Sequence, residues 1–155
     1  MNQRHATGQV DVVRPLPGQW QEIIEVLRTA NFHQIGSPEM PSFPLEDCFV
    51  ATVDGTVRGV GGYRILSTTE AKTTLLAVAP KFAALGLGML LQEKRLKHLR
   101  DSGIRTVTTN TDDPRVERWL LREYGFVRTG SVVPKLANFG RKDADHWVSL
   151  CLELE

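Results

Sequence analysis

Residues 48–80, CFVATVDGTVRGVGGYRILSTTEAKTTLLAVAP, constrain the fold more than any other part of the chain. Two β-rich runs flank Asp54-Gly55, a pair that accepts the positive φ of a tight type I′ turn, and they predict a hairpin. The run TTEAKTTLLAVAP continues as a further strand, and residues 75–78 are apolar at every position. A strand end that is apolar on both parities is buried on both faces. Three successive strands with no helix between them exclude a plain series of βαβ units and point to a mixed sheet covered by helices.

The flanking segments complete one domain. VDVVRPL alternates like a strand, and PGQWQEIIEVLRTANF predicts a helix with Trp20, Ile23, Ile24 and Leu27 on one side. Residues 31–47 hold three prolines and no period, which predicts a long loop with at most a short helix. A helix beginning near Leu87, with Met89, Leu96 and Leu99 as its apolar residues, stops at Gly103, a natural C′ residue. IRTVTTN reads as a short strand. Asp113-Pro114 then makes an N-cap and first-turn pair for RVERWLLREY, which ends at Gly125. FVRTGSVV and DHWVSLCLEL are two last strands around the polar loop ANFGRKDAD. The order β-α-loop-β-β-β-α-β-α-β-β is an α/β (α+β) layer fold over residues 10–155, preceded by a polar tail of residues 1–9 expected to be frayed.

Composition narrows the function classes. With 155 residues, 41% apolar and 24% charged, the chain is an ordinary soluble domain. A formal charge of +1 supplies no bulk attraction to nucleic acid or membrane, and the basic run KRLKHLR reads as a solvated helix face. Cys48 and Cys151 sit in strand-like runs, so both are expected reduced in the core of a cytoplasmic protein. No signal-peptide core and no spanning-length apolar run is present. His5, His33, His98 and His146 are scattered and neither cysteine has a CxxC partner, so no metal is expected. No Gly-x-Ser-x-Gly hydrolase elbow occurs either.

The stretch KFAALGLGMLL carries the main chemical signal. A strand ending at Pro80, a short turn and Gly-x-Gly at a helix start gather several backbone N–H groups around one point. The helix dipole adds partial positive charge there, which suits phosphate. A dinucleotide fingerprint needs a glycine where Leu91 stands, and a P-loop needs Gly-Lys-Ser/Thr where Gly88 is followed by Met89.

Val78-x-Pro80, Phe82, Gly86-Leu87-Gly88 and then Leu91 resemble the acyl-CoA-binding turn of the GNAT superfamily of N-acyltransferases. The hairpin upstream and Gly125-Phe126 downstream lie where that family has them, and the resemblance extends over residues 10–154. It implies a single GNAT-like domain. Its mixed, mainly antiparallel sheet of about seven strands would splay between the fourth and fifth, flanked by helices. Backbone amides of Ala83, Ala84, Leu85, Gly86, Leu87 and Gly88 would hold the pyrophosphate of acetyl-CoA. Those of Leu76, Ala77 and Val78 would pair with the pantetheine arm and polarise the thioester oxygen. Ala83 departs from the family, which most often has Arg or Gln there, and Lys81 is a nearby charge.

Acyl transfer to an amine also needs the ammonium deprotonated and the thiolate protonated. Many family members have a tyrosine acid four residues before the glycine of Gly-Phe, where this chain has Leu121; Tyr124 is the nearby tyrosine. Water suffices for a thiol of pKa near ~8.5. For the base, Glu70 on the fourth strand and His146 in KDADHW are candidates, with Asp143 and Asp145 beside it as acceptor contacts. Asp112 and Asp113 follow the fifth strand, Asp113 being accounted for as an N-cap. The resemblance implies an acetyltransferase acting on a small-molecule amine: an amino sugar, amino acid or polyamine. A protein N-acetyltransferase and a non-catalytic acyl-CoA sensor are the alternatives. Residues 31–47 and 137–145 would select the acceptor, and the last two strands offer a homodimer interface.

Overall fold

The computed structural model describes residues 8–155, so His5 and most of the expected tail lie outside the described residues. Among the described residues, seven strands form one sheet in the order β1-β2-β3-β4-β5-β7-β6. They are β1 (Val10–Val13), β2 (Cys48–Val53), β3 (Thr56–Ile65), β4 (Glu70–Val78), β5 (Thr106–Thr111), β6 (Val127–Pro134) and β7 (His146–Glu153). Helices α1 (Trp20–Thr29), α2 (Leu87–Asp101) and α3 (Pro114–Trp119) complete the expected order. Every neighbouring pair of strands is antiparallel except β4 with β5. Asp54 and Gly55 both take positive φ, 52° and 85°, as the β2–β3 hairpin requires.

Two features of β4 shape the molecule. First, its parallel pairing with β5 runs only from Glu70–Thr106 to Lys72–Thr108, so the strands part beyond Lys72. The Thr109 hydroxyl, donating to the Thr73 carbonyl at 3.3 Å, is the last bond across the opening gap. Second, a bulge against β3 places the residues between Thr73 and Leu76 opposite Gly62 alone. The extra residue reverses which face each side chain takes. Ala71 belongs to the core under α2, Leu75 and Ala77 to the core under α1, and Leu76 and Val78 pack against the α2 side. The apolar run of residues 75–78 is therefore divided between two cores, as burial on both faces requires.

Helix α2 lies close to the sheet because β3 is rich in glycine. A Cβ on Gly59 would meet Leu91 Cδ1 at 3.0 Å and one on Gly61 would meet Arg95 Cδ at 3.3 Å, whereas one on Gly62 would meet Thr74 Oγ1 of β4 at 2.5 Å. Gly61→Val is expected to destabilise the fold by ~1–3 kcal/mol through overpacking, lowering the melting temperature by roughly 2–4 °C per kcal/mol. Thermal unfolding measures it, and an unchanged midpoint would show that α2 can lift without cost.

Other expectations need correction. Met89 is 47% exposed, and α2 buries Leu87 and Leu91 with Leu96 and Leu99. Its basic run is not uniformly solvated, because Arg95 is only 3% exposed. Trp20 sits at the edge of the α1 core, with its ring edge-on to Phe43 at 6.2 Å. The helix after Asp113 runs as α-helix to Trp119 and then widens into a π turn over Leu120–Tyr124. Both cysteines are free thiols, and burial pushes that of Cys48 up to about 12.

Candidate active site

The parting of β4 and β5 leaves residues 74–78 with no strand on one side. Along an antiparallel strand alternate backbone groups face away from the partner, so this stretch presents donors and acceptors across the gap. Arg95 braces its start. One guanidinium nitrogen donates to the Gly62 and Leu75 carbonyls at 2.8 and 3.0 Å, bridging the bulge, and the other donates to Gln92 Oε1. Burial pushes the Arg95 guanidinium down to about 9, and its Nε has no partner.

Beyond Val78 the chain makes a 3-10 turn, Pro80–Leu85, containing Ala83, Ala84 and Leu85, all three exposed. Gly86 follows in the left-handed region, φ 73° and ψ 24°, as N-cap of α2. It supplies no side-chain cap, and the first helical bond is Leu90 N–H to the Gly86 carbonyl at 3.1 Å. The amides of Leu87, Gly88 and Met89 thus have no backbone acceptor at the positive end of a 15-residue helix. Room for an anion exists beside them: a Cβ on Gly88 would meet only Val78 Cγ2, at 3.9 Å. Leu87 itself is buried and anchors the turn in the core. Arg58 lies 4.6 Å over the Phe82 ring, a cation near the turn that sequence spacing does not reveal.

A cavity of about 360 Å³ opens through the gap. Leu76, Arg95 and Val116 line its α2 side; Phe32, Met40, Phe139 and Trp147 line the opposite side. The loops of residues 31–47 and 137–145, expected to select a ligand, both contribute to its walls. They are tied together there. Glu39 accepts from the Leu136 and Ala137 amides through Oε1, and from Trp147 Nε1 at 3.1 Å through Oε2. Asp112 accepts from Lys135 Nζ at 2.8 Å and from the Arg141 amide at 2.7 Å, with both side chains of the Asp112–Lys135 pair buried. Asp113 caps α3 through the Arg115 amide at 2.9 Å and pairs with Arg141 at 3.2 Å. Burial raises the Asp113 carboxyl, but the Arg115 and Arg141 contacts outweigh it and hold it below the ordinary range.

The candidate acid and base residues are dispersed. Tyr124 stacks edge-on against Trp119 at 5.1 Å and is half-buried beside α2. Burial, Glu93 and Glu123 raise its hydroxyl against the pull of Arg95, so the phenol stays protonated at neutral pH. It does not line the cavity, although Arg95 does. Glu70 is exposed at the closed end of the β4–β5 pair and also lies outside the lining. His146 pairs with Asp145 at 2.9 Å in an adjoining outer depression that shares Asp113 and Arg141 with the cavity wall. Among the described residues no cluster of ligating side chains could hold a metal.

Sequence pattern did not single out Arg64, Lys72 or Arg95 as cavity residues. The first two are register partners across the β3–β4 turn, a pairing that counting back from the turn would have given.

The acetyltransferase (GNAT) family model matches residues 19–126. No curated protein matches the sequence. Among solved structures, Ard1 from Thermoplasma volcanium is 22% identical with a TM-score of 0.69, covering 94% of this chain and 98% of its own. The ribosomal-protein-S18-alanine N-acetyltransferase from Escherichia coli is 14% identical with a TM-score of 0.72, covering 95% of each chain. The putative acetyltransferase yncA from Salmonella typhimurium, solved with its cofactor acetyl-CoA, is 15% identical with a TM-score of 0.70, again covering 95% of each.

Proposed function

The chain belongs to the acetyltransferase (GNAT) family, and from that premise we propose that it moves an acetyl group from acetyl-CoA to a primary amine of a small polar molecule by direct attack. One observation carries the reading. The strand edge left free beyond Lys72 and Thr108 leads at its end into the uncapped start of α2 and lines, earlier in its course, a cavity with walls on both the α2 and the α1 side of the sheet. Such an arrangement lets a phosphate-bearing thioester enter from one face while an amine enters from the other. The bound complex of the Salmonella protein supports acetyl-CoA as the donor.

In this reading the amides of Leu87, Gly88 and Met89 bind the pyrophosphate, with the turn of Ala83, Ala84, Leu85 and Gly86 shaping the seat. Backbone groups of Leu76, Ala77 and Val78 hold the arm and polarise the acyl oxygen. Bound acetyl-CoA supplies the activated acyl carbon. The cavity excludes bulk water and aims the amine, which is where most of the acceleration arises. Tyr124, kept neutral, returns a proton to the departing sulfur. We assign the amine's proton to water at the cavity mouth, because Glu70 stands at the closed end of the β4–β5 pair and His146 is paired with Asp145 in the outer depression. Glu39 ties the two wall loops together on the acceptor side, and this tie is our reason for preferring a small molecule to a protein.

The test is release of free CoA thiol with a panel of amines. Turnover is expected with at least one small amine. Tyr124→Phe should lower kcat about 10²-fold, the low end for a general acid given so good a leaving group, with acetyl-CoA affinity retained. Glu70→Gln and His146→Ala should stay within about twofold of wild type, the range expected of side chains remote from the chemistry. Tight binding without turnover of any amine would favour an acyl-CoA sensor instead.

A further inference from the structure

We propose that Arg64 and Lys72 form an anion-recognition subsite in the acceptor cavity, so that the amine acetylated also carries a carboxylate or phosphate group. The inference deepens the acetyltransferase reading and rests on it. Arg64 and Lys72 are direct cross-strand partners between β3 and β4, and both line the cavity. Side chains so placed stand side by side on one face, and like charges there repel. Neither makes a salt bridge or side-chain hydrogen bond among the described residues.

The carboxylates that might answer them are already engaged. Glu39 keeps its charge and favours the Lys72 ammonium from a distance, but its oxygens are turned to the Leu136 and Ala137 amides and the Trp147 indole, with no hydrogen bond or salt bridge to Lys72. Asp112 is bound by Lys135 and Asp113 by Arg115 and Arg141. Asp47 feels Arg64 at a neighbouring depression that both residues line, and makes no salt bridge with it. Burial and the neighbouring guanidinium both work against the Lys72 ammonium, lowering its pKa. An anion lodged between the two cations relieves both effects, whereas a polyamine adds a third positive charge. The position also suits a small metabolite. Lys72 precedes Thr74, where the gap opens, by two residues or about 7 Å of strand. An anion held at Lys72 leaves its amine within reach of that gap.

The experiment is steady-state acetylation of L-glutamate, glucosamine 6-phosphate, glucosamine and spermidine by the full chain, wild type against Arg64→Gln/Lys72→Met. An anionic amine should have the highest kcat/KM. Its ratio to that of glucosamine should fall ~10–100-fold in the double variant, the scale of a lost charge-assisted contact. Preference for glutamate identifies a carboxylate, and preference for glucosamine 6-phosphate a phosphate. A preference for spermidine, or a ratio that the double variant leaves alone, overturns the subsite and leaves the acetyltransferase reading standing. Should no amine turn over, calorimetric titration of the same four into protein saturated with CoA decides the matter. Anion binding weakened in the double variant supports the subsite; absent or unchanged anion binding overturns it. Failure of acetyl-CoA itself to bind overturns the acetyltransferase reading, and titration of the amines into the protein alone still decides the subsite.

Discussion

Gly88→Glu abolishes acetyl-CoA binding without unfolding the protein. The two halves of that expectation have opposite physical signs, which makes the variant informative. Gly88 is not in the left-handed region, and an added Cβ meets only Val78 Cγ2 at 3.9 Å, so the backbone takes a side chain without strain. A carboxylate in the first turn of α2 also interacts favourably with the helix dipole, worth ~0.3–1 kcal/mol of stability. The same carboxylate stands where the pyrophosphate is proposed to lie and competes for the same amides. Losing charge-assisted bonds there costs about 1.5–3 kcal/mol each, so two or more lost together weaken binding at least ~100-fold. Gly86 is a poorer position for this test. Its φ of 73° charges any side chain roughly 1–2 kcal/mol of strain, which confuses folding with binding. Calorimetric titration with acetyl-CoA, alongside thermal unfolding, reads both halves. Binding that survives Gly88→Glu at wild-type strength would remove the glycine turn from the site.

This turn was legible in the sequence because its signals are local. Glycine at a helix start, proline closing a strand and the Asp54-Gly55 hairpin are each set by backbone sterics over a few residues. The order of elements along the chain followed as well, since β2, β3 and β4 are joined by short turns. What the sequence hid depends on distant partners. Arg95 resembles its neighbours Lys94 and Lys97 in composition. It is buried only because Gly61 admits its side chain and because the β4 bulge offers the Leu75 carbonyl. A bulge of one residue leaves no mark in an apolar run, so the switch of Leu75 and Ala77 to the α1 core was invisible too. Asp112 looked like a free acid after a strand, and its partner lies 23 residues further on. Nothing local marks Arg64 and Lys72, which only the register places opposite each other beside a cavity.

The Asp112–Lys135 pair leads to the largest stability effect expected in the molecule. Lys135 Nζ donates to Asp112 Oδ2 at 2.8 Å, to the Phe139 carbonyl at 2.9 Å and to the Arg141 carbonyl at 2.7 Å, and lies 4.6 Å over the Trp147 ring. All three donor positions of the ammonium are used, and the side chain is 7% exposed. One group therefore closes the wall loop onto the end of β5. Lys135→Met keeps most of the packing and removes only the charge and its bonds. It leaves Asp112 buried without a counter-ion and two carbonyls unpaired, a loss of ~3–5 kcal/mol. At roughly 2–4 °C per kcal/mol for a chain of this size, the melting temperature falls about 6–20 °C. Asp112→Asn in the same background should cost less than it does alone, because the stranded charge is gone. The double-mutant coupling is expected at ~1–3 kcal/mol, near the upper end for contacting residues. Function should divide along the same line. Loosening the loop raises KM for the amine, while acetyl-CoA affinity holds, because among the described residues no hydrogen bond joins the α2 turn to residues 135–141. If Lys135→Met weakens acetyl-CoA as much as the amine, the loop is not a separate acceptor wall, and the assignment of the two mouths to two substrates fails with it.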